Sequence, residues 1–212
     1  MPLNPDDTIP TRRSLLERLK NWEDQKSWVD FFDTYWKLIY GVARKAGLTE
    51  VEAQDVVQET VITVAKKMGE FKTDPAFGSF KSWLLLITRR RITDQFRRRP
   101  PRVEFTKGRS DATPRTPTLE RMPDTETPAL ESIWQEEWER NLVDIALAKV
   151  KQLVSSKQFL LFYQQTFKKW SPRRVANQYG VSLAQVYMAK YRVSAVLKRE
   201  INRLERHGMH GM

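Results

Sequence analysis

The stretch GSFKSWLLLITRRRITDQFRRRPPR, from Gly78 to Arg102, admits few folds. Ser79 stands where an N-cap belongs. From there Phe80, Trp83, Leu84, Ile87, Ile92 and Phe96 recur near the 3.6-residue period of an amphipathic helix, with one side packed. The other side gathers Arg89, Arg90, Arg91, Arg97, Arg98 and Arg99. Pro100 and Pro101 then end the helix, because proline lacks a backbone donor and restricts the residue before it. Within the stretch only Asp94 opposes the arginines. The expectation is therefore an unbalanced cationic face, suited to phosphates and, with its neighbouring aromatics, to unstacked bases. The competing reading is a solvated face that only keeps the protein soluble.

The rest of the composition points the same way. Over 212 residues the net charge is +11, which favours a nucleic acid or an acidic membrane surface over an acidic metabolite. There is no cysteine, which removes disulfide frameworks and thiolate metal sites. The two histidines, His207 and His210, stand in a Gly- and Met-containing tail, which argues against a zinc site or His-based catalysis. No run approaches the roughly 20 apolar residues of a membrane span. The expectations are a soluble, cytoplasmic chain with no cofactor and no metal, large enough for two small helical units.

Ahead of the arginine-rich stretch, Leu15, Leu16, Leu19 and Trp22 share a helical face. Ser27 is read as the N-cap of an aromatic helix carrying Trp28, Phe31, Phe32, Tyr35, Trp36, Ile39 and Tyr40 to Gly47, a face read mainly as core. Thr49 and Glu52 predict a capping box opening a third helix to Gly69, with Val51, Val56, Val57, Val61, Ile62, Val64, Ala65 and Met68 as its buried side. Its polar side holds Glu52, Asp55, Gln58 and Glu59. In a basic protein this acidic patch either meets a basic protein surface or balances its own helix dipole. Phe71, Phe77 and Phe80 are read as base-stacking surfaces or as plugs of the bundle.

Pro100 to Thr127 is rich in Pro, Thr, Arg and Asp without helical period, hence a linker, with Asp124 and Glu126 as an acidic patch. Beyond it, Ile133, Trp134, Trp138, Leu142, Ile145 and Val150 mark a long helix, and Ser155 starts the next, with Phe159, Leu160, Phe162, Tyr163 and Phe167 crowded together. Ser171, Pro172 at N1 and Gly180 at C′ bound a short helix. Ser182 with Gln185 at N3 opens a longer one. Short helix, glycine turn, longer basic helix: this is the pattern of a helix-turn-helix, the alternative being a structural hairpin. The second helix of such a motif enters the major groove. Ala184, Gln185, Tyr187, Met188 and Tyr191 are then candidate base readers, with Arg173, Arg174, Lys190, Arg192 and Lys198 reaching phosphates.

DVVQET followed by GSFKSWLLLITRRRITDQFRRR resembles region 2 of bacterial RNA polymerase sigma factors, of the sigma-70 family and the small extracytoplasmic-function type, over Leu15 to Arg102. Trp138 to Leu204 resembles region 4 of the same factors. Where members often carry Asn this chain has Arg90, and where many carry Lys-Ser-Arg it has Tyr187, Met188 and Ala189. The resemblance implies an all-α protein of two small helical domains, residues 1–101 and 129–212, joined by an extended linker at 102–128. It implies a core-polymerase-binding helix through Glu52, Asp55, Val56, Gln58 and Glu59. It implies −10 recognition by Phe80, Trp83, Arg89, Arg90, Arg91, Arg97 and Arg98. For the −35 element it implies Arg173, Arg174, Ser182, Ala184, Gln185, Tyr187, Met188, Lys190, Tyr191 and Arg192. The implied partners are core polymerase, through its clamp helices and flap, and promoter DNA, with an anti-sigma factor as a further candidate. The implied role is promoter recognition and opening, not an enzymatic one. The alternatives are a stand-alone helix-turn-helix regulator and a metal-dependent nuclease using Asp55 and Glu59.

Overall fold

The computed structural model describes residues 12–71, 79–99 and 128–209. The expectations for Phe77, for Pro100 and Pro101, for the linker with Asp124 and Glu126, and for the side chain of His207 and for His210 lie outside the described residues. The fold is all-α, with α1 (Arg12–Arg18), α2 (Gln25–Lys45), α3 (Glu50–Lys67) and a 3-10 turn (Met68–Glu70) followed by α4 (Phe80–Arg98). Then come α5 (Pro128–Leu153), α6 (Ser156–Thr166), α7 (Pro172–Tyr179) and α8 (Leu183–Met209). Among the described residues no helix is long and apolar enough to cross a membrane.

Two compact units are present. One comprises Arg18–Trp138, the other Met1–Glu17 with Glu139–Met212, so the division falls inside α5. In the first unit α2, α3 and α4 pack through Phe31, Tyr35, Leu38, Ile39 and Val42, through Ala53, Val56, Val57 and Val64, and through Phe80, Leu84, Ile87 and Ile92, all buried. The opening of α5 belongs to this unit. Trp138 stacks on Tyr35 with ring centroids 6.1 Å apart. Lys45 holds Glu136 and Glu137 at 2.8 and 2.9 Å. In the second unit Leu161, Val175, Ala176, Val186 and Ala189 form one cluster, and Val150, Phe162 and Val193 another.

Several expected boundaries hold because their caps are local. Thr49 Oγ1 accepts from Glu52 N–H while Glu52 Oε2 accepts from Thr49 N–H, closing the capping box. Ser79 and Ser155 cap α4 and α6. The start of α2 is different. Asp24, not Ser27, is the N-cap: its carboxylate accepts from the Ser27 N–H at 3.1 Å and the Ser27 hydroxyl at 2.6 Å. Arg18 donates to the same carboxylate and holds its pKa well below the usual range. Asp24 thus outcompetes the serine that reading along the chain had favoured. The apolar faces also shift. Trp22, Val51 and Ile62 are exposed, and α1 ends before Trp22.

Candidate polymerase and nucleic-acid interfaces

On α3 the core side is Ala53, Val56, Val57, Thr60 and Val64. Val56 is fully buried and cannot itself meet a partner. The polar side does not stand free as the sequence suggested. Arg99, the C-cap of α4, grips Glu52 with two donors, Nη2 to Oε2 at 2.5 Å and Nε to Oε1 at 2.7 Å, and also donates to Gly47 O. That guanidinium, more than any other cause, pulls the Glu52 carboxyl down to about 2. Arg98 Nη1 donates to Glu59 Oε1 at 2.6 Å. Arg91 lies 3.9 Å from Glu59 and 3.1 Å from Asp94.

The cationic helix is therefore partly neutralised by α3. This corrects the expectation that Asp94 alone balances the arginines. Among the described residues, Arg89, Arg90 and Arg97 have no carboxylate within ion-pair distance, and Arg90 and Arg97 are exposed. They continue a surface stripe begun by Ser82 and the exposed Leu86. Phe80 does not join it. Its ring is buried within 6.3 Å of the rings of Phe31, Tyr35, Phe71 and Trp83, so it fixes the start of α4 and is closed to a base. Trp83 is half-buried, 4.7 Å from Phe71.

Asp55 and Gln58 remain exposed on α3. Beside them runs a groove of about 700 Å³ that sequence reading missed. It is lined by Phe32, Trp36 and Tyr40 of α2 and by Gln54, Val57, Gln58, Val61 and Ile62 of α3. Phe32 and Trp36 belong to a face expected mainly in the core, with binding by some of its rings as the lesser alternative, and their rings stack on each other, 6.2 Å apart, along the groove wall. One row of the aromatic helix is buried and the adjacent row is offered outward.

In the second unit α7 and α8 form the expected turn. Ser171 accepts from Arg174 N–H, Pro172 is the first helical residue, and Gly180 adopts the left-handed conformation at φ 59°. Val181 N–H reaches Ala176 O at 3.1 Å. Val175 and Ala176 pack on Val186 and Ala189. The buried Gln165 amide of α6 donates to the carbonyls of Leu161 and Val186, tying α8 to α6. Ser182 and Gln185 close their capping box, Gln185 Oε1 accepting from Ser182 N–H at 3.0 Å. Ala184, Tyr187, Met188, Lys190, Tyr191 and Arg192 are all exposed, opposite the buried Val186, Ala189 and Val193. Arg173 and Arg174 are exposed at the start of α7, and the Arg174 guanidinium lies over the Trp170 ring, 4.0 Å from its centroid.

Comparison with known proteins bears on the first unit. Residues 31–100, which contain most of α2 and all of α3 and α4, match the family model of Sigma-70 region 2. No curated protein matches the chain. Among solved structures, CnrH in complex with the cytosolic domain of CnrY is 17% identical, with 90% of this chain and 96% of that chain covered and a TM-score of 0.36. The helix bearing the arginines and the acidic helix it grips fall inside the matched span, as does most of the aromatic helix beneath them, so residues 31–100 of this chain are similar to region 2 of sigma-70 factors.

Proposed function

We propose that this chain is a sigma factor of the extracytoplasmic-function type, a cytoplasmic, non-catalytic specificity subunit that binds core RNA polymerase, recognises −35 and −10 elements and promotes opening. The observation that carries the reading is the region 2 match at residues 31–100, over helices whose surface pairs an acidic rib with a cationic one. In this reading Asp55 and Gln58, with the aromatic groove beside them, contact the clamp helices of core polymerase. Glu52 and Glu59 contribute at their outer edges while they position Arg99 and Arg98. Leu86, Arg90 and Arg97, with Trp83 at the edge, take the non-template strand as it separates. Stacking and phosphate contacts made only with opened strand supply the free energy of opening. The α7–α8 motif is region 4 and reads the −35 duplex. An anti-sigma factor is a further partner of this reading.

The test is reconstitution of the full chain with core polymerase on a genomic promoter library, reading transcript starts. New starts that depend on the chain support the reading. A chain that fails to associate with core polymerase at modest ionic strength refutes it.

A further inference from the structure

The exposed face of α8 carries an unusual chemistry for a helix that reads bases. Its outward stripe over the first turns is Ala184, Tyr187, Met188 and Tyr191, and Tyr187, Met188 and Tyr191 are 58%, 46% and 73% exposed. Three large apolar side chains gathered on one exposed helical stripe offer a contiguous surface to a partner. The flanks say which: Lys190 and Arg192 border the stripe, and Arg173 and Arg174 stand at the start of the preceding helix, so the surface is apolar along its centre and cationic at its margins. A duplex major groove has the matching layout, with phosphates at both edges and, along the floor, thymine methyl groups as its main apolar feature.

The side chains that usually discriminate bases by paired hydrogen bonds are missing from the centre of the stripe. Arg or Lys addresses guanine and Asn or Gln addresses adenine through two bonds at once. Here the one amide in the first turn, Gln185, has its carbonyl oxygen turned back to the Ser182 N–H, which holds the amide against the start of the helix rather than extended towards a base. We propose that this helix selects its DNA by burying the 5-methyl groups of thymines against Met188 and the rings of Tyr187 and Tyr191, so that its upstream element is defined by methyl-bearing pyrimidines. This rests on the reading of α7–α8 as the −35 reader.

The experiment uses holoenzyme assembled from the full chain and core polymerase. Duplexes are first selected from a pool randomised over the upstream element, and the winners are rebuilt with deoxyuridine replacing each thymidine of that element in turn. Removing a buried methyl lowers affinity about fourfold per contacted base, the worth of one buried methylene. The exposed-site double variant Tyr187→Ala, Met188→Ala, checked for unchanged helicity, shows a smaller difference between thymidine and deoxyuridine duplexes, Tyr191 being the one proposed reader left. Sequence-selective capture that ignores every deoxyuridine replacement overturns the methyl readout and leaves the sigma reading standing. A pool that shows no upstream enrichment overturns both. A double variant that keeps the full methyl sensitivity also overturns the proposal, since other side chains would then do the reading.

Discussion

Glu52→Gln separates the two tasks of one carboxylate. The amide keeps the capping box, because Gln serves at N3 as Glu does, but it gives up the charge that Arg99 grips with two donors at 2.5 and 2.7 Å. Arg99 first, with smaller help from the Thr49 hydrogen bonds, moves the carboxyl from 4.5 to about 2, which would be worth at most about 3 kcal/mol if fully desolvated. Arg99 is 38% exposed, however, and water screens the pair to about 1 kcal/mol. Because the folded-state pKa lies below the unfolded one, this contribution is complete above about pH 4.5. It fades as the pH falls towards 2. Urea denaturation should thus show the variant about 1 kcal/mol less stable at pH 7, with the gap closing at acid pH. Glu52→Ala should cost about 1 kcal/mol more, through the lost cap.

The same change releases Arg99. Binding to single-stranded DNA should strengthen, and the slope of log K against log salt should steepen by about 0.7 for the added phosphate contact. Stability and polyanion affinity therefore move in opposite directions. A variant that loses stability without gaining salt-dependent DNA affinity would refute the idea that α3 holds part of the cationic face in reserve. So would one whose deficit persists unchanged at pH 2.5.

Three other outcomes are expected. Gly180→Ala meets no neighbouring atom within 4 Å, so its cost is conformational, about 1 kcal/mol for a left-handed φ of 59°; thermal melting should show it, together with weakened upstream duplex binding as α8 is re-aimed. Asp55→Lys, at an exposed position of α3, should lower core-polymerase affinity about tenfold in a pulldown titration with an unchanged melting temperature. Arg90→Ala should leave closed-complex affinity nearly intact and reduce permanganate reactivity of the opened −10 strand, since Arg90 is exposed and no carboxylate among the described residues shares its charge.

What the sequence made legible follows the range of the interactions. Thr49 with Glu52 and Ser182 with Gln185 are pairs three residues apart, set by helix geometry alone, and both form as read. The left-handed Gly180 needs only its own φ. The ion pairs that reshape the cationic face join residues 39 and 47 apart, and nothing local to Arg98 or Arg99 announces them. The aromatic helix sits between these extremes. Phe31 and Phe32 are neighbours, as are Tyr35 and Trp36. A dense run of rings fits several helical faces, so only the positions of α3 and α4 decide that Phe31 and Tyr35 are buried and that Phe32 and Trp36 line the groove.

Gln185 shows how two readings of one residue compete. As the third residue of α8 it fits a capping box, and as an exposed amide at the start of a reading helix it fits an adenine. The box wins the carbonyl oxygen because its donor is three residues back on the same rigid turn, in place before any duplex arrives, whereas a base must be brought in from solution and docked. A bidentate adenine contact would have to swing that amide away from the Ser182 N–H towards the base, at the expense of half of the capping box. In the proposed −35 reading, the first turn therefore leaves discrimination to the residues behind it. Those are Tyr187, Met188 and Tyr191, whose apolar surfaces bear on methyl groups more than on donors and acceptors.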